Sequence, residues 1–353
     1  MKLGLGLGFG RNGGSGFWIL LGGAYGGSFN ETVGTTGVIG TATSNMTGTL
    51  TWSIVAGGDA RISINSSTGA VSTSTTIYSG SDAAFTVQVT NGTLTIGFPF
   101  TAVGIYQQES TTLFTAMSGS PNSTYKTAIN TAIASLKTAG VFAKLDALQV
   151  YRGSHDSSHD ALVDWKLPSR VATNSGGTFA LATGFTTSGS PNYIDTGYNP
   201  GTSATNFTQN SCSFGIWSMD GASKAGSAAG YYDTGTTAGI TINPREGANF
   251  VAGRINTVTA VTSTPTTTNG LGLTSVVRAS STIQKFNKSG TTIASPASTS
   301  TTIKNGNITL GRINASSYSG HAFAAVFAGG ALDDTEMTAL NNALSTYFTA
   351  VGA

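Results

Sequence analysis

The sequence predicts a mainly β chain, a small sandwich followed by a larger one, with a few short helices. Three observations carry that prediction. Stretches such as Phe85-Thr86-Val87-Gln88-Val89 and Ser213-Phe214-Gly215-Ile216-Trp217 alternate with the period of two of a strand. The chain is rich in Ser, Thr and Gly (48 glycines), the residues of strands and tight turns. Charged residues are only 9%, against about a quarter in an ordinary domain. Even so, 17 Phe, 11 Tyr, 4 Trp and a 39% hydrophobic content supply packed cores, unlike a disordered chain.

Length and charge narrow the rest. A chain of 353 residues suggests two or three domains. A net charge of +2 gives no basic field for nucleic acid. No run of 18 apolar residues offers a membrane span. The single cysteine, Cys212, excludes an internal disulfide framework and a multi-cysteine metal site. Its alternation with Phe214 and Ile216 predicts a buried, inert thiol.

Residues 1–29 read as a glycine-rich anchoring arm. Leu3, Leu5 and Leu7 alternate with glycines, and Phe17, Trp18, Ile19, Leu20 and Leu21 form an apolar cluster. Lys2 fits the basic start of an export signal, but glycines and Arg11 interrupt its apolar core. Glycine loses too much backbone entropy for this arm to order alone, so Leu3, Leu5, Leu7, Phe17, Trp18 and Leu20 are expected to dock on another chain. Gly8, Gly10 and Gly13 match a dinucleotide fingerprint, but Gly14 and Gly16 break the helix it requires.

Residues 30–104 read as a β-sandwich. Short strands are expected at 50–54, 61–64, from 71, and at 85–90, where Asn91-Gly92 turns a hairpin into 94–98. Trp52-x-Ile54, Ile62-x-Ile64-Asn65-x-x-Thr68-Gly69-x-Val71 and Phe85-x-Val87-x-Val89-Thr90-Asn91 resemble the cadherin-like or bacterial Ig-like repeat. The resemblance implies a spacer fold. Glu31, Asp59 and Asp82 lie too far apart in sequence for the clustered acids of a cadherin calcium site.

Residues 105–170 read as a helical connecting segment. Tyr125, Ala128, Ile129, Ala132, Ile133 and Leu136 fall on one helix face, with Gly140 as a stop, and Leu148-Gln149-Val150-Tyr151 reads as the start of a strand. Residues 171–353 read as a long β region with strands near 193–198, 211–217, 239–242, 250–255, 275–279, 281–287, 307–311 and 321–327. A final helix opens on a capping box of Asp333 and Glu336. Gly329-Gly330-Ala331-Leu332-Asp333-Asp334-x-Glu336-Met337 resembles the close of laminin-G-like, concanavalin-type jelly-roll sandwiches. The block from Ala128 to Lys166 resembles a segment preceding such domains in phage virion proteins. Both resemblances imply fold more than activity.

Chemistry-bearing clusters are few. His155 and His159, with Asp156, Asp160 and Asp164, have a metal-like spacing, but Asp156 stands where a zincin has glutamate. A turn with helix caps is the competing reading. Glu31, Glu109, Glu246 and Glu336 are each isolated, without the alternating strand acids of concanavalin-type glucanases. No Gly-x-Ser-x-Gly elbow lies between a strand and a helix, and Asn-x-Ser/Thr triplets are expected by chance in so hydroxyl-rich a chain. No catalytic residue and no cofactor is expected. Trp217, Tyr231, Tyr232 and Tyr318 are candidate sugar platforms, with Trp217 alternatively packed under a flanking helix. The resemblances imply a non-enzymatic phage virion protein: a tail fibre, head fibre or decoration protein. Its expected partners are other virion proteins through the arm, further copies of itself, and host surface glycans. A secreted or surface bacterial adhesin is the alternative, and a glycan-cleaving enzyme the third reading.

Overall fold

The computed structural model describes residues 19–21, 27–31, 37–75, 77–78, 83–104, 106–119, 121–154, 158–235, 238–247, 249–263 and 269–353. The chain divides after Thr111 into two compact units.

The first unit contains β1 (Ile19–Leu21), β2 (Gly27–Glu31), β3 (Gly37–Ser44), β4 (Thr51–Ile54), β5 (Ile62–Ile64), β6 (Ala70–Thr73), β7 (Ala83–Thr90) and β8 (Thr95–Gly104). They form two sheets, β1-β3-β6-β5 and β2-β8-β7-β4. Here β2 runs parallel to β8 and the other pairs are antiparallel. This is the A-B-E-D and C-F-G strand order of an Ig constant-type sandwich, with the first strand split between the sheets. Trp52, on the strand equivalent to C, is buried with Val71, Phe85, Val87, Val89 and Phe100.

The Asn65 turn explains its own sequence. Asn65 Oδ1 accepts from Ser67 N and Thr68 N at 3.0 and 2.9 Å. Gly69 closes the turn at φ +72°. A Cβ at Gly69 would lie 2.6 Å from the Ala42 carbonyl oxygen and 3.1 Å from the Trp52 ring. Only glycine tolerates both conditions.

One boundary moves. Residues 19–29 were expected in the anchoring arm, but β1 pairs with β3, and β2, which starts at Gly27, with β8. Ile19 and Leu21 are fully buried in the unit's own core, because a short strand hides these side chains without a partner. Leu20 shares β1. Leu3, Leu5, Leu7, Phe17 and Trp18 lie outside the described residues.

Helix α1 (Gln108–Ala116) crosses the boundary between the units. The second unit continues with α2 (Ser123–Thr138), α3 (Val141–Lys144), β9 (Leu145–Val150) and α4 (Ser158–Leu162). Next come β10 (Thr173–Ser175), β11 (Thr178–Ala180), β12 (Gly184–Thr186), β13 (Tyr193–Asp195), β14 (Cys212–Ser218), β15 (Ala229–Tyr232), β16 (Gly239–Glu246) and β17 (Phe250–Thr257). The chain ends with β18 (Val261–Thr262), β19 (Gly272–Arg278), β20 (Lys285–Lys288), β21 (Thr291–Ala294), β22 (Thr309–Leu310), β23 (Ala322–Gly329) and α5 (Asp334–Ala350). A seven-stranded sheet, β10-β13-β22-β15-β16-β17-β18, faces an eight-stranded one, β11-β12-β23-β14-β19-β20-β21 with β9 also paired to β23. This is the expected sandwich, with Phe185, Phe214, Ile216, Ile240, Ile242, Val276, Phe286 and Phe323 in its core.

Helices cover the far side of the eight-stranded sheet. Asn122 caps α2 by accepting from Thr124 N and Tyr125 N. The face Ala128, Ile129, Ala132, Ile133 and Leu136 is buried, and Gly140 at φ +74° follows the helix end. The predicted capping box holds α5: Asp333 accepts from Glu336 N at 2.8 Å, and Glu336 accepts from Asp333 N at 2.9 Å. Met337, Leu340, Leu344, Tyr347 and Phe348 share a core with α2 and with Leu273, Ala325 and Phe327 of the sheet.

The segment 105–170 is therefore more than a connector. Its β9 pairs antiparallel with β23 from Leu145 to Val150, and Trp165 lies buried with its ring edge against Tyr347 at 5.0 Å.

Candidate functional site

The seven-stranded sheet directs Ile194, Leu310, Ala229, Ile240, Val251 and Ile255 into the core between the sheets. Side chains alternate along a strand, so Tyr193, Asp195, Thr309, Tyr232, Thr241 and Arg254 point to its other face. The helical core described above lies on the eight-stranded sheet; this opposite face of the unit is where tyrosines and arginines gather.

Two tyrosine–arginine stacks stand there. The Arg312 guanidinium lies 3.4 Å from the centroid of the Tyr193 ring, and Tyr318 meets Tyr193 edge-on at 6.4 Å. Arg254 lies 4.8 Å from the Tyr232 ring and donates to the Val258 carbonyl at 2.9 Å. Burial lowers the Arg254 pKa from its usual value, with Tyr232 acting in the opposite sense. All three tyrosines and both arginines are half-buried.

Residues 311–319 form the hairpin that brings Arg312 and Tyr318 to this face. The two residues are bridge partners. Ser319 N donates to Gly311 O at 2.8 Å, and Ile313 N to Ser317 O at 3.1 Å. Asn314 closes the tip by accepting from Ser316 N and Ser317 N. Tyr232 N donates to Ile313 O at 2.8 Å, which ties the hairpin to β15. At the other end of the patch, Asn307 Nδ2 donates to both Asp195 oxygens at 3.0 and 3.2 Å. Gly197 N adds a third hydrogen bond to Asp195, at 2.9 Å.

Of the aromatics expected from sequence, Tyr232 and Tyr318 reach this face. Tyr231 points the other way, in register with core Ile240, and its ring lies where a side chain on Gly306 would stand. Trp217 packs edge-on against Phe348 at 5.0 Å beneath α5. Tyr231 thus lies on the strand's inner side and Trp217 in the helical layer, both away from the face that carries Tyr193, Arg254 and Arg312. The alternation Tyr193-Ile194-Asp195 was the available signal for Tyr193.

The histidine cluster divides differently. His155 and Asp156 lie outside the described residues. His159 is half exposed and stands 3.4 Å from Asp160. The Asp160 carboxylate accepts from Ser118 N at 2.8 Å and Gly119 N at 3.1 Å. Asp164 accepts from the amides of Leu148, Lys166 and Leu167 and from Arg170 at 2.9 Å. These carboxylates tie loops together, the cap reading of that cluster. Among the described residues no group of three or more His, Cys, Asp or Glu side chains could hold a metal. Cys212 is buried, accepts from Asn256 Nδ2 at 3.3 Å, and has its thiol pKa raised by burial.

A concavity of about 410 Å³ runs between α2 and α5, away from that face, lined by residues including Thr127, Thr131, Ser135, Ala343 and Ala350. It offers hydroxyls and methyls without a charged group. No described helix is long and apolar enough to cross a membrane.

No protein-family model matches the chain, and no curated protein matches it. Among solved structures it is similar to the ganglioside-interacting botulinum neurotoxin type C, at TM-score 0.41 and 14% identity over 59% of this chain and 53% of that one. It is also similar to Trypanosoma rangeli sialidase, at TM-score 0.39 and 9% identity over 75% and 43%. Domain 4 of AbnA, a GH43 extracellular arabinanase from Geobacillus stearothermophilus solved with arabinotriose, gives TM-score 0.36 and 16% identity over 56% and 98%. The chain spans about half the length of the toxin chains and less than half of the sialidase. These are distant similarities to β-sandwich proteins.

Proposed function

We propose that this chain is a non-enzymatic glycan-binding structural protein of a phage virion: a tail fibre, head fibre or decoration protein. The observation that carries the glycan reading is the face bearing Tyr193, Tyr232 and Tyr318. A sugar ring has an apolar C–H face and a rim of hydroxyls. Half-buried tyrosines match the first, and Asp195, Asn307 and the arginines match the second. Sugar hydroxyls exchange water for protein hydrogen bonds at little net gain, so one site binds on the order of millimolar. Repeated copies on a particle raise that through effective concentration. A chain with only 9% charged residues has little charge repulsion to oppose such repetition. In this reading the first eighteen residues join other virion proteins and the Ig-like unit is a spacer.

A glycan array probed with the full chain, soluble and coupled to beads, tests the binding. Coupled protein is expected to bind where soluble protein barely does, and Tyr232→Ala and Tyr318→Ala to weaken it. Silence from both forms overturns glycan recognition, and release of reducing sugar overturns the non-enzymatic reading. Mass spectrometry of purified virions tests the particle assignment. Absence from virions, with secretion from a bacterium, turns the assignment to an adhesin.

A further inference from the structure

We infer that the Tyr193–Arg312–Tyr318 cluster selects acidic saccharides by pairing a sugar carboxylate with the Arg312 guanidinium. The inference rests on the glycan reading and specifies its ligand class.

Arg312 shares with Arg152, which lies over the Phe348 ring, the lack of an ionic or hydrogen-bonded side-chain partner among the described residues, and the other described arginines do not share it. Arg170 pairs with Asp164 and Arg61 with Asp59. Arg245 donates to Asn249 and to the Gly221 carbonyl. Arg278 donates to the carbonyls of Ile255 and Ser298. The Arg312 side chain has a ring contact and, among the described residues, neither a carboxylate within ion-pair distance nor a hydrogen-bond partner. Its position is nevertheless set. The backbone belongs to the tied hairpin, with Thr309 Oγ1 donating to the Arg312 carbonyl, and the guanidinium lies against the Tyr193 ring. Stacking uses the face of a guanidinium and leaves its N–H edge free. That edge is a planar fork matching a carboxylate through two parallel hydrogen bonds.

The surroundings orient the ligand. Tyr318, edge-on to Tyr193, supplies an aromatic surface beside the fork for the apolar face of a sugar ring. Asp195 is two residues from Tyr193 on the same sheet face, so the ligand's carboxylate must lie at the Arg312 end. Asp195 is held by Asn307 and Gly197, and at its end the ligand presents hydroxyls, which donate to it. The patch is thus polarised: cation and rings at one end, acceptors at the other. A free anion such as phosphate would use the fork alone. A saccharide bearing a carboxylate uses the whole patch.

The test compares a glucuronate-containing oligosaccharide, its carboxyl-reduced counterpart and a sulfated oligosaccharide of similar length, on the full chain coupled to a sensor surface. The glucuronate form is expected to bind about tenfold or more tightly than the reduced form, the scale of a charge-assisted hydrogen-bonded pair. Arg312→Gln is expected to abolish that preference while retaining weak binding of both forms. Arg312→Lys, which keeps the charge and loses the fork, should retain only a small part of it. Equal binding of acidic and reduced forms by wild type overturns the inference and leaves glycan recognition standing. A preference for the sulfated form overturns the carboxylate assignment. No binding of any of the three defeats the underlying reading as well.

Discussion

His321 makes the larger sandwich sensitive to acid, and the size of the effect follows from its surroundings. The side chain is 3% exposed, and neither ring nitrogen has a hydrogen-bond partner. Asp220 lies 3.7 Å from Nδ1, too far for a hydrogen bond. Burial first, and then the Lys224 charge, lower the pKa from 6.5 to about 4, while Asp220 opposes them. A depressed folded pKa gives stability that is complete above pH 6.5 and lost as pH falls through 4. Between about pH 7.5 and pH 4.5 the loss is about 2.5 kcal/mol, from 1.36 kcal/mol per unit and the partial protonation of the folded form at the lower pH. Asp164 works in the opposite sense. Burial raises its carboxyl to about 6 against Arg170 and three amides, so its contribution is present below pH 3.8 and lost as pH rises through 6. The difference between wild type and His321→Met therefore isolates the histidine. Methionine has a similar volume and adapts to irregular space. Urea unfolding of both proteins at the two pH values should show the variant losing about 2.5 kcal/mol less than wild type on acidification, with unchanged m-values. Equal losses in the two proteins would refute the reasoning.

Three further substitutions test the supports of the fold. Asp164→Ala strands the largely buried Arg170 and three amide donors, and should destabilise the second unit by about 3–5 kcal/mol in urea unfolding. Gly69→Ala forces a side chain into φ +72° and onto the Ala42 carbonyl oxygen, and should remove about 2 kcal/mol or more from the first unit by calorimetry. Asp333→Ala removes one half of the capping box of α5, which should appear as about 1 kcal/mol in the same measurement on the second unit.

The elements legible in the sequence are those whose local signal agrees with their tertiary surroundings. The helix stops and caps at Asn122, Gly140, Asp333 and Glu336 are local chemistry, and each appears where its residue type requires. The alternation of Phe85, Val87 and Val89 survives because only one face of β7 is buried. Two elements were hidden, one wholly and one in part, for opposite reasons. In β1 the continuous run Ile19-Leu20-Leu21 has no period of two, and the glycines around it resemble a linker. In β9 all six residues of Leu145–Val150 are buried, and two of them are polar. Asp146 is satisfied by Asn206 N, Phe207 N and the Tyr198 hydroxyl. Gln149 reaches the Thr196 carbonyl oxygen. Partners so distant in sequence leave no local trace, so only the stretch from Leu148 reads as the start of a strand and the rest of this central strand reads as a connector.

The site follows the same logic one level up. Trp217 stands opposite Phe214 and Ile216, as alternation requires, yet that side of β14 is covered by α5. Alternation assigns a face and is silent about what covers it. The neighbouring strands carry the missing information. β23, Ala322 to Gly329, is buried throughout, as a strand must be when a second sheet packs on one side and helices on the other. In β13, Ile194 is buried while Tyr193 and Asp195 on either side are half-buried, the signature of a strand whose outer side is only partly covered. A tyrosine in a strand that keeps its alternation is thus a better platform candidate than a tryptophan beside a continuously apolar strand. That criterion selects Tyr193 from sequence and rejects Trp217. It stops short of Arg312, which stands outside β22 in a hairpin closed by Gly311 and Ser319, and meets Tyr193 only because β13 and β22 pair across the sheet.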